Sequence, residues 1–352
     1  MMEKESNKKY GWISNLRVLA TCSVILLHVS EYVAYHQFGH IESHKWWIGN
    51  IFDSISRFAV PLFVMVTGAL LIPQEIGIKT FMQKRLKRIL LPFLFWSVVY
   101  VVFSFVNDTA TTHYSFFDIV KICCSKVKSG AYYHLWFVYM LIGMYLIIPI
   151  LKKWVKSCTE KDLIYFLVIW VIVLFFTYPI VNKYMPKIEI HFFTGFVGYL
   201  VLGYYLFTKP VENMKNMRKI SLVMIIAGIL ITAFGTWWIC EKQGEMNQLF
   251  YVPTTPNIFL TAAGIFIFVK ISCLNSKKLP RIFSFIDTYG YGIYLGHVFI
   301  LELLMRHLNL MCLLREMPII GIPVVTLMCL FITAGIVFCI RKLPVVGKHV
   351  SG

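Results

Sequence analysis

Arg17, His28 and Glu31 lie in a single apolar run, NLRVLATCSVILLHVSE, spanning residues 15–31. An ionisable side chain in hydrocarbon costs at least about 2.5 kcal/mol, so such residues are rare and usually functional. A neutral imidazole at that depth can take the proton of a hydroxyl as a general base or carry an acyl group as a covalent nucleophile. Eleven residues of helix cover about 16 Å and three turns, with about 20° left over. Arg17 and His28 therefore share one helix face, one above the other, and are expected to line one tunnel.

Composition sets the elements that carry these groups. Of the 352 residues, 58% are hydrophobic and 14% charged, and the mean hydropathy is +0.71. Soluble domains carry about 25% charged residues, so the chain reads as a polytopic membrane protein. Its net charge of +17 sits in short clusters between apolar runs. That is a topology signal, not the solvated basic face a nucleic acid needs, and nucleic acid is excluded as a partner. The nine cysteines are scattered, apart from Cys123 and Cys124, and show no CxxC or His/Cys ligand spacing. Neither a disulfide framework nor a metal site is expected. The polar N-terminus and the long first helix argue against a cleaved signal peptide.

Ten segments reach spanning length, at about 17–25 residues each: 12–35, 49–73, 89–107, 132–151, 162–181, 191–208, 220–240, 254–272, 284–305 and 318–340. The expected fold is an all-α polytopic bundle of ten transmembrane helices. A tail of residues 1–11 precedes the membrane domain 12–340, and a tail of residues 341–352 follows it. Basic clusters at residues 4–9, 79–88, 152–161, 209–219, 277–281 and 341–348 alternate with poorer loops. This places both termini in the cytoplasm.

Helical rise then gives each polar residue a depth. His28, Arg57 and His297 fall about 4–7 Å outward of mid-membrane; Glu31, Asp53, His134 and Glu302 about 10–12 Å outward; Arg17 and Asp287 about 10 Å inward. Several of these groups have plainer readings. Arg17 with Asp287 can be an interhelical contact, Asp53 with Arg57 an i,i+4 pair, Glu31 and Glu302 water-facing, and the 79–88 run an orientation signal.

The Arg17–His28 spacing resembles the signature of the membrane-bound acyltransferase-3 family. The resemblance continues in SRFAVPLFVMVTGALL (56–71), YHLWFVYMLIGMYLIIPIL (133–151) and YGYGIYLGH (289–297), in family order across residues 12–341. It is similar to the stand-alone branch that resembles the O-acetyltransferase of enterobacterial common antigen. The chain departs from the pattern at Ser14-Asn15-Leu16-Arg17-Val18, where the family often has Asp before and Gly after Leu-Arg, and at Thr67-Gly68-Ala69 in place of Ser-Gly-aromatic.

The resemblance implies acyl transfer from cytoplasmic acyl-CoA (acetyl-CoA or another short acyl-CoA, as a substrate and not a bound cofactor) to a hydroxyl of a surface glycan or its lipid-linked precursor, in a bacterial inner membrane. On that footing Lys84, Arg85, Lys87 and Arg88 hold the donor's phosphates with Arg17 at the entrance. His28 does the chemistry, Arg57 steadies the oxyanion, and His297 orients His28 or relays its proton. Glu31, Asp53, His134, Trp136 and Glu302 receive the sugar. Membrane lipids surround the bundle, and a homo-oligomer is compatible with the sequence. The alternative is a transporter or flippase, since buried charges also mark transport paths; no inverted repeat supports it.

Overall fold

The computed structural model describes residues 11–106, 115, 117, 120–121, 126, 130–183, 195–273, 280–308, 310–344 and 347–351. Among the described residues every regular element is helical. The principal helices are α1 (Gly11–His36), α2 (His44–Ser56), α3 (Ala59–Leu71), α4 (Ile78–Val106), α5 (Trp136–Ser157) and α6 (Glu160–Phe175). They continue as α7 (Val197–Thr208), α8 (Met214–Gln243), α9 (Pro256–Cys273), α10 (Arg281–His307), α11 (Leu310–Glu316) and α12 (Pro318–Arg341).

Seven helical stretches among the described residues are long and apolar enough to cross a membrane: Gly11–His36, His44–Leu71, Ile78–Val106, Tyr133–Ser157, Met214–Gln243, Leu249–Cys273 and Pro318–Arg341. α10 joins them when taken together with α11. Two expected spans are shorter than the sequence suggests. α6 has 16 residues, because Pro179 holds Tyr178 in an extended conformation (φ −80°, ψ 121°) that ends helical continuation. α7 has 12 residues, and residues 191–194 of that expected span lie outside the described ones.

The expected span 49–73 falls in the spanning stretch His44–Leu71, whose hydrogen-bond ladder is interrupted at Arg57 and Phe58 while both keep helical dihedrals (φ −60°, ψ −20° and φ −67°, ψ −11°). Pro61 has no N–H with which to bond the carbonyl of Arg57. The ladder resumes one residue later, with Leu62 N–H donating to Phe58 O at 3.0 Å. The break puts a guanidinium-bearing residue at a joint between two helices.

α1 is the central element, packed against α2, α3, α9, α10 and α12. That placement brings polar groups from its neighbours around His28 and Arg17. α3 is seated tightly on α7, where a Cβ on Gly68 would lie 2.0 Å from Leu200 O and one on Gly203 2.0 Å from Met65 O. Small residues on both sides let the backbones approach closely. Ion pairs show which helix ends are neighbours. Lys156 meets Glu75 and Lys209 meets Glu160 on the basic side, while Lys45 meets Glu316 on the other. Exposed pairs of this kind add little stability, but their placement follows the alternation of charge along the chain.

Candidate active site

His28 projects from α1 into a group of three imidazoles. Its ring stacks on His297 of α10, with centroids 5.3 Å apart and 27° between planes. His134, from the 3-10 turn Tyr133–Leu135 ahead of α5, stands edge-on 5.3 Å from His297 and 6.4 Å from His28. Tyr133 closes the group, edge-on to His28 at 5.3 Å.

Backbone carbonyls set two of the three rings. His297 Nδ1 faces Tyr294 O at 2.6 Å and His134 Nε2 faces Leu295 O at 3.3 Å. In the neutral rings those nitrogens donate, leaving His297 Nε2 and His134 Nδ1 as acceptors. Both are buried and without a hydrogen-bond partner, as is His28 Nδ1. Buried polar atoms are normally paired, so the unpaired His297 Nε2 and His134 Nδ1 beside His28 are open to a proton or a hydroxyl. Among the described residues no set of His, Cys, Asp or Glu side chains forms a metal site.

Arg57 approaches from the α2–α3 joint but is committed elsewhere. Its Nη2 donates to Asp53 Oδ2 at 2.6 Å, its guanidinium lies 4.1 Å over the Tyr251 ring, and Glu31 Oε1 is 3.8 Å away. It reaches His28 through Glu31. Glu31 Oε2 is 3.6 Å from His28 Nδ1, and Glu31 Oε1 accepts from Gln248 Nε2 at 3.1 Å. Asp53 is fully buried beneath Arg57.

Of the outward group, His134 and Glu31 both come up against the His28 and His297 rings. Glu302 remains near the surface, accepting from the Tyr132 hydroxyl at 3.0 Å and lying 3.6 Å from Arg306. Trp136, at the start of α5, is 44% exposed.

Toward the other end of α1, Arg17 and Asp287 form a bidentate pair: Nε to Oδ1 at 2.6 Å and Nη2 to Oδ2 at 2.8 Å. The pair lines a cavity of about 850 Å³ together with Lys84, Arg85, Lys87, Arg88 and Arg341. Asp287 is the single carboxylate among the lining residues. Arg85 donates to Gln74 Oε1 at 2.9 Å, while its Nε is buried and unpaired. The remaining wall is largely apolar, with Phe63, Val66, Phe137 and Leu141.

The cavity reaches Thr21 and Tyr294, and none of the three histidines lines it. Tyr294 stands between the two regions: its ring is 5.9 Å from His297 and 5.8 Å from His134, and its hydroxyl donates to the His134 carbonyl. Arg341, Gln248 and Tyr294 were not singled out from the sequence. Arg341 read as an orientation charge, Gln248 lies in a loop where no periodicity reports on it, and Tyr294 is one aromatic among many.

With this geometry in view, the family model described as acyltransferase domain (acyltransferase-3) matches residues 10–341. The chain belongs to the acyltransferase-3 family. The match runs from just before α1 to the end of α12, so the basic cavity and the imidazole group both lie inside the acyltransferase-3 domain. A protein of Acidianus two-tailed virus named "Putative acetyltransferase ORF330" is 24% identical over 276 residues, covering 74% of this chain and 79% of its own. No solved structure matches the chain. With seven helical stretches among the described residues able to cross a membrane, this acyltransferase-3 protein is a multi-pass membrane acyltransferase.

Proposed function

We propose that this acyltransferase takes an acyl group, most simply acetyl, from acyl-CoA in the basic cavity and passes it to a hydroxyl of a cell-surface polysaccharide or its lipid-linked precursor. The observation that carries the reading is one cavity with two kinds of wall: five lysine and arginine side chains besides the Arg17–Asp287 pair, and an apolar side that leads to Tyr294. Acyl-CoA has the same division. Its phosphates suit charge-assisted contacts with Lys84, Arg85, Lys87, Arg88 and Arg17, and its arm and acyl group suit the apolar wall.

His28 then removes the proton of the acceptor hydroxyl, and the hydroxyl oxygen attacks the thioester carbonyl. The C–S bond breaks, and the departing CoA sulfur receives the proton from His28. A positioned base contributes about 10²–10⁴-fold. An acyl-histidine formed on His28 and discharged to the hydroxyl is the two-step version. The charge of Arg57 favours the oxyanion, and His297 orients the stacked His28 ring. Trp136 and Glu302, with His134 deeper, flank the acceptor's approach. The basic side faces the cytoplasm of a bacterial inner membrane by the positive-inside rule, with ten spans and both termini inside.

The test compares surface glycans by mass spectrometry in cells with the parent gene, His28→Ala or no gene. A one-acetyl mass increment is expected with the parent gene alone, while purified His28→Ala protein still binds acetyl-CoA. Transfer by well-expressed His28→Ala protein at the parent level would remove His28 from the chemistry, and a transport role would then account better for the buried charges.

A further inference from the structure

We infer that Glu31 is a positioning residue for His28, held in place by Gln248 and Arg57, and not a contact for the acceptor. This rests on the acyl-transfer reading above.

His28 and Glu31 are i and i+3 on α1, a spacing that makes side chains neighbours on a helix. His28 Nδ1 is buried with no hydrogen-bond partner, and Glu31 Oε2 lies 3.6 Å from it. That is longer than a hydrogen bond. Catalytic contacts are often long in a resting enzyme and close in the loaded one, and a small side-chain rotation brings the carboxylate into range.

The other oxygen is the anchor. Glu31 Oε1 accepts from Gln248 Nε2 at 3.1 Å and faces Arg57 Nη2 at 3.8 Å. Gln248 is itself fixed by the Tyr35 hydroxyl at 2.9 Å, and Arg57 by Asp53 and the Tyr251 ring. With Oε1 occupied by protein donors, Oε2 is left toward the imidazole.

The chemistry follows from which nitrogen is held. A carboxylate at Nδ1–H leaves the Nε2 lone pair free for the acceptor hydroxyl. It also stabilises the imidazolium that exists between proton uptake and return of that proton to the CoA sulfur. A base oriented by a third group is the general form of an activated nucleophile site. The other polar groups around His28 are Tyr133 and His134 before α5, His297 on α10, and the Asp53–Arg57 pair of α2 behind Glu31. Among the described residues, Glu31 is the acidic side chain within ion-pair distance of His28.

The experiment uses full-length protein in lipid nanodiscs, acetyl-CoA as donor, and the glycolipid extract of the host membrane as acceptor, titrated by hexose content. Initial rates separate kcat from the apparent acceptor KM for the parent and for Glu31→Gln, Glu31→Asp and Gln248→Ala. Glu31→Gln should lower kcat by about 100-fold or more, with acceptor KM and acetyl-CoA binding unchanged. Glu31→Asp should recover part of that loss, and Gln248→Ala, which removes the anchor but keeps the carboxylate, should lower kcat by about tenfold. A raised acceptor KM with unchanged kcat would make Glu31 an acceptor contact and overturn the inference. So would a parent-like kcat in both Glu31→Gln and Gln248→Ala. If Glu31→Gln fails to assemble, Gln248→Ala decides on the same two readings. Absence of transfer by the parent protein would overturn the acyl-transfer reading itself, a result distinct from any change confined to the variants.

Discussion

Asp287 gives both carboxylate oxygens to Arg17, and the two ends of the pair differ in exposure: the arginine side chain is 37% exposed and the aspartate 9%. The aspartate is the buried anchor and the guanidinium the face turned to the cavity. A planar fork held on one edge keeps its other N–H donors aimed, which a lysine ammonium cannot reproduce. Arg17→Lys should therefore preserve folding while weakening acetyl-CoA binding by about tenfold, equivalent to about 1.4 kcal/mol. Exchanging the partners, Arg17→Asp with Asp287→Arg, should recover the melting temperature of the single mutants but leave donor binding weak. Calorimetric titration and thermal melts separate the two outcomes; a swap that restores both would make the pair purely structural. At this scale the sequence was informative where an ionisable group interrupts an apolar run, as at Arg17, His28 and His297. It was silent on rotation about each axis: helical rise gives His134 a depth but not the direction that brings its ring within 6.4 Å of His28 and 5.3 Å of His297.

At the scale of elements, hydropathy located the long helices because burial in lipid demands unbroken apolar length. A window average is blind to a single missing N–H, and so it gives the span His44–Leu71 but not the interruption of its ladder at Arg57 and Phe58, which Pro61 announces. The same omission lengthened α6 past Pro179. Pro61 lies in the first turn of α3, where a missing N–H is tolerated, and Arg57 at the joint meets both Asp53 and Glu31. Pro61→Ala supplies the absent N–H to the Arg57 carbonyl and should draw α2 and α3 into one helix. The expected result is equal or higher thermal stability with kcat lowered by about tenfold or more, as Arg57 is drawn off Glu31. A variant that is stabilised and fully active would show that the joint serves packing alone.

For the molecule as a whole, the cavity gathers residues far apart in the chain: Arg17 early in α1, Lys84 to Arg88 in α4, Asp287 in α10 and Arg341 at the end of α12. They meet because α1 stands at the centre and the ends of these helices lie on one side of it. The same positive charges are what membrane insertion reads as an inside signal, so charge counting alone could not separate a topology device from a phosphate site. Arg341 can separate them. It ends α12 beside Lys342 and Lys348, so its loss leaves the basic signal of that cluster in place. It nevertheless lines the cavity, with its guanidinium 5.2 Å over the Tyr289 ring. A well-formed charge-assisted contact is worth about 1.5–3 kcal/mol, reduced at an open mouth to about 1 kcal/mol. Arg341→Gln should then weaken acetyl-CoA binding by about fivefold, and raising the salt concentration should narrow the difference from the parent. A reporter fused after residue 215 should read cytoplasmic in both proteins. Parent-like affinity in correctly oriented Arg341→Gln protein would show that the final cation of the cavity wall plays no part in holding the donor.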